Sequence, residues 1–351
     1  MTATRIEPVS DLDALEPEWR ALGESAGNVF ATWEWARTWW RHFGDGRDAA
    51  AAVIRSNGLA TAILPLYHWT TRPARVLRFI GHGAGDELGP VAAPAARPGA
   101  LEALEAWLRE TAADWDVFLG ENLVGLDGWT ERHGARVLRL ESNPALVNPP
   151  GGWEAFLAGR SANFRQQVRR RERNLRRRHD VRIRLADDSA SLERDLDVLF
   201  RLHEARWGGR SSFGRVREPF QREFAQLALQ RGWLRLWILE LDDAPVAAWY
   251  GFRFDGVEAY YQAGRDPAFD RESVGFVLLA HSIRAAFDDG VREYRFLRGD
   301  DAYKSRFATA DRPLQTVALS SGIRGRAAVA AASSLRASTT LRRSLRQRLG
   351  S

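Results

Sequence analysis

Cysteine is absent from the 351 residues and methionine occurs once. Of the 51 basic residues all but one are arginine, which leaves Lys304 as the only lysine. Each scarcity excludes something. Without cysteine there is no disulfide, no thiolate nucleophile and no cysteine-ligated zinc. The seven histidines show no HxxxH or HxH spacing, so no metal is expected. No apolar run approaches the roughly 20 residues that a membrane span needs, and no charged-then-apolar leader opens the chain. A cytoplasmic protein is expected, with contact at the inner face of the membrane as the peripheral variant.

What is present is a globular composition. Hydrophobic residues make up 45% of the chain and 14 tryptophans are among them, enough for two domains with cores of their own. The net charge of +6 is unevenly placed. Residues 160–184 hold eleven arginines against Glu172 and Asp180, and residues 321–351 hold seven arginines and no acid. The remainder is therefore acidic, and the two basic segments point to defined contacts or to an anionic surface rather than to general polyanion binding.

The stretch Phe296–Phe307 concentrates reactive side chains. Tyr294 and Phe296 alternate with Arg295 and Leu297 as strand residues do, and Gly299 ends the run before Asp300, Asp301, Tyr303 and Lys304. An ammonium is compact, rotatable and able to change protonation when desolvated, unlike the guanidinium used everywhere else in this chain. The competing reading is a surface lysine kept by chance.

Upstream, residues 11–43 read as aromatic-rich helix, and Asn57-Gly58 joins Ala50–Ile54 to Leu59–Tyr67 as a tight hairpin. Val76–Ile80 leads into a glycine-rich loop carrying Asp86, which is either functional or a turn-former. Leu101–Ala112 has helical spacing, Trp115–Leu119 and Val137–Leu140 read as strands, and residues 143–152, rich in proline and glycine, mark a domain boundary. Ser161 caps a helix with Phe164, Val168 and Leu175 on a narrow apolar stripe among eight arginines. These arginines either meet an anion or form a solvated face. His203 lies on the apolar face of a helix over 192–207, where a core histidine competes with a functional one.

Three strands follow, Leu234–Leu241, Ala244–Phe254 and Val257–Ala263, joined by Asp242-Asp243 and Asp255-Gly256 into an antiparallel meander. A polar loop then enters a helix after Gly275, and the strand at Tyr294 completes a βαβ crossover over Val257–Arg298. The helix start, with Arg271 four residues before Gly275, suits an anion such as a pyrophosphate.

Meander, anion-binding helix start and following strand together resemble a GNAT acyltransferase core. More specifically, the chain is similar to the bacterial GNAT-like family related to the Fem peptidyl transferases, members of which occur in polysaccharide-biosynthesis loci. The residues that carry the likeness are Pro65-Leu66, Phe79-Ile80-Gly81 with Asp86, His203 with Arg206-Trp207, Pro245–Ala248, Ser273-Val274-Gly275, and Arg298-Gly299-Asp300 through Tyr303-Lys304. One departure stands out: in the Q/R-x-x-G-x-G/A pattern ending at Gly275, Ser273 replaces the first glycine and Asp270 the opening basic residue.

The resemblance implies an α/β fold with mixed α+β sheets: tandem GNAT-like domains at 1–150 and 151–320 and a C-terminal basic helical tail at 321–351. It implies an acyltransferase moving an acetyl or other acyl group from acyl-CoA, without a metal, to a hydroxyl or amine of a carbohydrate or related cell-envelope acceptor. Arg271, Ser273, Val274, Gly275 and Phe276 would hold the donor. Lys304, Asp300, Asp86 and Tyr303 would carry the chemistry, with Asp86 or Asp300 as base and Lys304 and Tyr303 stabilising developing charge. Trp33, His203, Arg206, Trp207 and Arg298 would contact the acceptor in a cleft between the domains. Two alternatives stay open. One is Fem-like transfer from aminoacyl-tRNA gripped by the basic helix at 160–178. The other is a non-enzymatic scaffold for anionic polymer or membrane, supported by Leu341, Leu345 and Leu349 among the arginines of the tail.

Overall fold

The computed structural model describes residues 4–71, 74–126, 128–208, 213, 214 and 216–331. The stripe at Leu341, Leu345 and Leu349 and most of the Gly208–Phe213 loop lie outside the described residues; residues 322–331 are helical. The chain divides into two compact units: Met1–Ala26, Phe30–Glu141 and Pro313–Ser351 form the first, Gly27–Val29 and Ser142–Arg312 the second.

In the first unit, β1 (Thr4–Val9), α1 (Glu16–Glu24) and α2 (Trp33–Phe43) precede β2 (Asp48–Ala49), β3 (Ala51–Ser56), β4 (Leu59–Leu64), β5 (Leu66–Thr71) and β6 (Ala74–Phe79). The unit continues through α3 (Arg97–Glu110), β7 (Val117–Leu123), α4 (Trp129–Arg132) and β8 (Arg136–Glu141). Thr32 caps α2 by accepting from the Trp35 amide at 3.3 Å, and α2 buries Trp33, Trp35 and Trp39. The hairpin forms as its turn requires, with Asn57 at φ 51° and Gly58 at φ 81°. Pro65 separates β4 from β5, which belong to different sheets. β6 and β7 are parallel, so α3 is a crossover.

The second unit starts with β9 (Pro144–Val147), α5 (Gly152–Ala158), α6 (Ala162–Arg178), β10 (Val181–Leu185), α7 (Ser189–Trp207) and α8 (Glu218–Gln230). The meander follows as β11 (Leu234–Leu241), β12 (Ala244–Phe254) and β13 (Val257–Arg265). After it come α9 (Val274–Asp288), β14 (Glu293–Arg295), α10 (Ala302–Phe307) and β15 (Ala310–Asp311). The seven strands are ordered β10-β11-β12-β13-β14-β9-β15, with β13 and β14 parallel and the other pairs antiparallel. Both meander turns use residues at positive φ, Asp242 and Asp243 in one and Asp255 and Gly256 in the other.

The sequence-based boundary needs two corrections. The stretch read as a linker contains β9, a strand whose Ala145–Val147 pair with Arg295–Glu293. Pro144 begins that strand, the position at which a missing N–H is tolerated. In addition β16 (Leu314–Ser320), assigned by sequence to the second domain, pairs with β7 and β8 of the first unit. β9 has only four residues and begins at a proline, so it carries little periodicity, and neither strand was legible.

α5, α6 and α9 pack on one face of this sheet, sharing a core with Trp249, Tyr260 and Tyr294. α7 packs on the opposite face of β12 and β13, and it does so through Gly264. A Cβ there would lie 2.3 Å from the His203 amide nitrogen and 2.4 Å from the Leu202 carbonyl carbon. Gly264→Ala is therefore expected to lower stability by about 1–3 kcal/mol through overpacking, read from the urea midpoint; an unchanged midpoint would show that α7 does not pack this closely.

Candidate active site

The parallel pairing of β13 with β14 lasts three residues, from Val257↔Glu293 to Ala259↔Arg295. Beyond Ala259 the strands diverge, and Tyr260 to Arg265 continue without a β14 neighbour. A register shift between Tyr250 and Gly251 bends the β12–β13 pair at the same level. The divergence opens a cavity of about 250 Å³ lined by Tyr260, Ala263, Gly264 and Arg265 of β13, Ala248 and Trp249 of β12, and the start of α9. Arg171, Arg206, Asp270, Tyr303 and Arg306 complete its wall.

The start of α9 supplies Ser273, Gly275 and Phe276 to the cavity. Helix geometry leaves the first N–H groups without intrahelical acceptors and places partial positive charge there. Ser273, in the N-cap position, adopts φ 58°, ψ 37°, a left-handed conformation uncommon for a non-glycine residue. It makes no side-chain cap hydrogen bond.

Three guanidiniums stand near this helix start, and a fourth, Arg206, lines the same cavity. Arg171 of α6 and Arg306 of α10 lie over the Phe276 ring, 4.5 and 5.5 Å from its centroid. Arg265 pairs with Asp270 at 2.7 Å, and Arg306 donates to Gln167. No carboxylate among the described residues pairs with Arg171 or Arg206. Burial, then the neighbouring charges of Arg306 and Arg170, pull the Arg171 guanidinium below its ordinary value. An ion half-removed from water without a counter-charge is costly, by roughly several kcal/mol when fully desolvated, so the cavity is built for an anion.

Tyr303 and Tyr260 bring two phenols to the wall. Burial, followed by the adjacent Tyr260, pushes the Tyr303 phenol far above the usual value. It stays protonated at neutral pH and can donate a proton or hydrogen bond but not accept a proton.

The expected site residues divide. Ser273, Gly275, Phe276, Tyr303 and Arg206 line the cavity together, while Val274 is fully buried beneath the helix start. Arg271 is exposed and does not line it; Arg265, at the end of β13, occupies that role. Asp300 is exposed and Arg298 half-buried, and neither is on the wall. Lys304 is not on the wall either. Its buried ammonium donates to the Leu297 and Arg298 carbonyls at 3.3 and 2.5 Å and lies 3.5 Å from Asp301. It fastens the loop that leaves β14, where Leu297 and Gly299 take φ 54° and 115°. The lone lysine thus ties a turn together and stands off the cavity wall on which the catalytic reading would place it.

His203 is buried and hydrogen-bonded to Gln262, 3.2 Å away. Trp207 is half-buried and carries the Arg206 guanidinium 4.6 Å above its ring. Trp33 and Asp86 belong to the first unit. There Trp33 packs edge-on against Trp19, and Asp86, buried, accepts from Asn122 at 3.5 Å. Gly23-Glu24-Ser25-Ala26-Gly27 matches the G-x-S-x-G pattern, but Ser25 follows the end of α1 and donates to Leu22, so it is not on the strand-to-helix elbow a serine nucleophile needs. Arg171, Arg265, Arg306 and Tyr260 were missed as site residues. Arg171 had a signal: it falls seven residues after Phe164 and four before Leu175, inside the apolar stripe of its helix. Among the described residues no His, Asp and Glu group could hold a metal ion, and no helix is long and apolar enough to cross a membrane.

Residues 162–305 match the acetyltransferase (GNAT) domain family. They include every cavity-lining residue except Arg306. No curated protein matches the chain in sequence. The fold is shared with the crystal structure of FemX at TM-score 0.61 and 10% identity, over 86% of this chain and 95% of that one. It is shared with the C-terminal domain (DUF2156) of a putative lysylphosphatidylglycerol synthetase from Agrobacterium fabrum at 0.59 and 11%, over 93% and 96%. A tandem GNAT protein from the clavulanic acid biosynthesis pathway aligns at 0.52 and 14%, over 91% and 99%. At these identities the likeness is one of fold. The second unit has the GNAT acyltransferase fold, and the chain as a whole has a mixed α/β, tandem GNAT-like architecture.

Two variants separate structural from chemical roles. Lys304→Met leaves two inward-facing carbonyls unpaired and is expected to cost about 1–3 kcal/mol in chemical denaturation; wild-type stability in this variant would return the ammonium to the chemistry. Burial lowers the His203 pKa from 6.5 to about 4. Between those values the unfolded chain takes up a proton that the folded one refuses, so stability is lost as pH falls from 6.5 towards 4, by about 1–3 kcal/mol from this residue. His203→Asn should flatten the acid limb of the stability profile, and an unaltered limb would show that His203 already titrates freely.

Proposed function

We propose that the chain is an acyltransferase that moves an acetyl or other acyl group from a CoA thioester directly to an amine or hydroxyl of a carbohydrate or related cell-envelope acceptor. The observation that carries this reading is Arg171, half-buried without a carboxylate partner and facing the first turn of α9 across the Phe276 ring. A pyrophosphate fits between them, because α9 offers unpaired N–H groups and Arg171, Arg265 and Arg306 offer charge. The edge of β13 beyond Ala259 has no strand partner and is free to hydrogen-bond an extended donor arm. When bound, the donor supplies an activated thioester carbonyl.

Tyr303 acts as the acid in this reading. As the C–N bond to the acceptor forms and the C–S bond breaks, its neutral phenol passes its proton to the departing sulfur and recovers one from the attacking nitrogen, so no phenolate is left in the buried site. Among the described residues the only carboxylate lining the cavity is Asp270, and Arg265 holds it. That arrangement favours an amine, which reaches its nucleophilic form near neutral pH more readily than a hydroxyl.

A second reading, transfer from an aminoacyl-tRNA, is supported by the exposed arginines of α6 at 169, 170, 173, 176 and 177. Calorimetric titration of CoA, acetyl-CoA and a longer acyl-CoA into the full chain distinguishes the two. Saturable binding, weakened about tenfold or more by Arg171→Gln, supports the first reading. No CoA binding, with salt-sensitive binding of tRNA instead, supports the second.

A further inference from the structure

We infer that the acceptor presents a compact oxyanion, a carboxylate or a phosphate monoester, to Arg206. This rests on the GNAT reading of the cavity and adds the chemical class of the second substrate.

The cavity reaches both faces of the sheet at the free edge of β13. On one face lie Phe276 at the start of α9 and the guanidiniums of Arg171 and Arg306, the groups assigned to the donor. Trp249 joins the core on that face. On the other face β12 turns Tyr250 toward α8, where its hydroxyl donates to Gln221 at 3.1 Å, and Gly264 meets the α7 backbone at Leu202 and His203. Arg206, near the end of α7, reaches the cavity from that second face.

Its surroundings leave its charge unanswered. The guanidinium lies 4.6 Å above the Trp207 ring, no carboxylate among the described residues pairs with it, and His203 one turn before it in α7 is buried and hydrogen-bonded to Gln262. The donor's phosphates are accounted for by the α9 start with Arg171, Arg265 and Arg306. A guanidinium whose carbon lies over an indole ring still has its planar N–H fork available, and that fork can take a carboxylate or phosphate through two parallel hydrogen bonds. Arg206 shares the cavity wall with Tyr303, so an anion seated on it places the rest of the acceptor beside the acid. Arg206 is a binding and specificity residue here, and an uncharged acceptor would leave its charge uncompensated.

The test uses three acceptors with the same amine: glucosamine, its 6-phosphate, and muramic acid, which carries a carboxylate. CoA release from acetyl-CoA is followed with a thiol reagent, to which the cysteine-free chain contributes no signal. Where an acceptor does not turn over, its dissociation constant is measured by calorimetry on the CoA-loaded chain. At least one anionic sugar should exceed glucosamine by about tenfold or more in kcat/KM or affinity, and the better of the two identifies the anion. Arg206→Gln should remove that preference with acetyl-CoA KM unchanged within about twofold, while Arg206→Lys keeps part of it. Equal handling of all three sugars, the absence of any anion-dependent binding, or a loss of acetyl-CoA affinity in Arg206→Gln as large as that in Arg171→Gln would overturn the proposal. Failure of wild type to bind CoA at all would instead remove the underlying GNAT reading.

Discussion

Everything proposed for this protein depends on two parallel strands parting after three residue pairs. Had β13 and β14 stayed paired along their length, the edge of Tyr260–Arg265 would be closed and the start of α9 would face a continuous sheet. The separation is built in at both ends. β14 is short and runs into a loop with left-handed backbone at Leu297 and Gly299, fastened from beneath by the Lys304 ammonium. β13 is bent by the register shift opposite Tyr250 and Gly251, and a Cβ at Gly251 would lie 2.0 Å from the Ala259 carbonyl oxygen. The opening is thus a property of the backbone, and the side chains then give it charge.

That charge is arginine throughout. The chain has 50 arginines, and on the surface most are paired or solvated; Arg184, for example, is held by Asp195 and Glu240. In the cavity Arg171 and Arg206 have aromatic rings beneath them, and among the described residues no carboxylate pairs with either. A guanidinium stacked on an aromatic keeps its orientation without surrendering its hydrogen-bond donors. The pairing pattern, rather than the net charge, separates a binding surface from a solvated one.

Much of the second unit was legible. The meander, both of its turns, α7 and the β13–α9–β14 crossover follow from alternation, Asp-Asp and Asp-Gly turns and helical spacing, and the helix start emerged from the same reading. What could not be read was which basic residues converge on it. Arg271 is adjacent in sequence yet points to solvent, whereas Arg171 and Arg306 arrive from helices about a hundred and about thirty residues away. Lys304 shows the limit of composition: its uniqueness was plain, but not that its ammonium would lie off the cavity wall, donating to carbonyls of the turn. β9, four residues long, and β16 take their pairing from strands distant in the sequence.

The central claim, that an acyl donor's phosphates rest on the first turn of α9 in the opening between β13 and β14, is tested most directly by amide hydrogen exchange on the full chain with and without saturating CoA. The expected result is slowed exchange concentrated at residues 260–265 and 273–279. Protection confined to other segments, with these amides exchanging as in the free chain, would contradict the account.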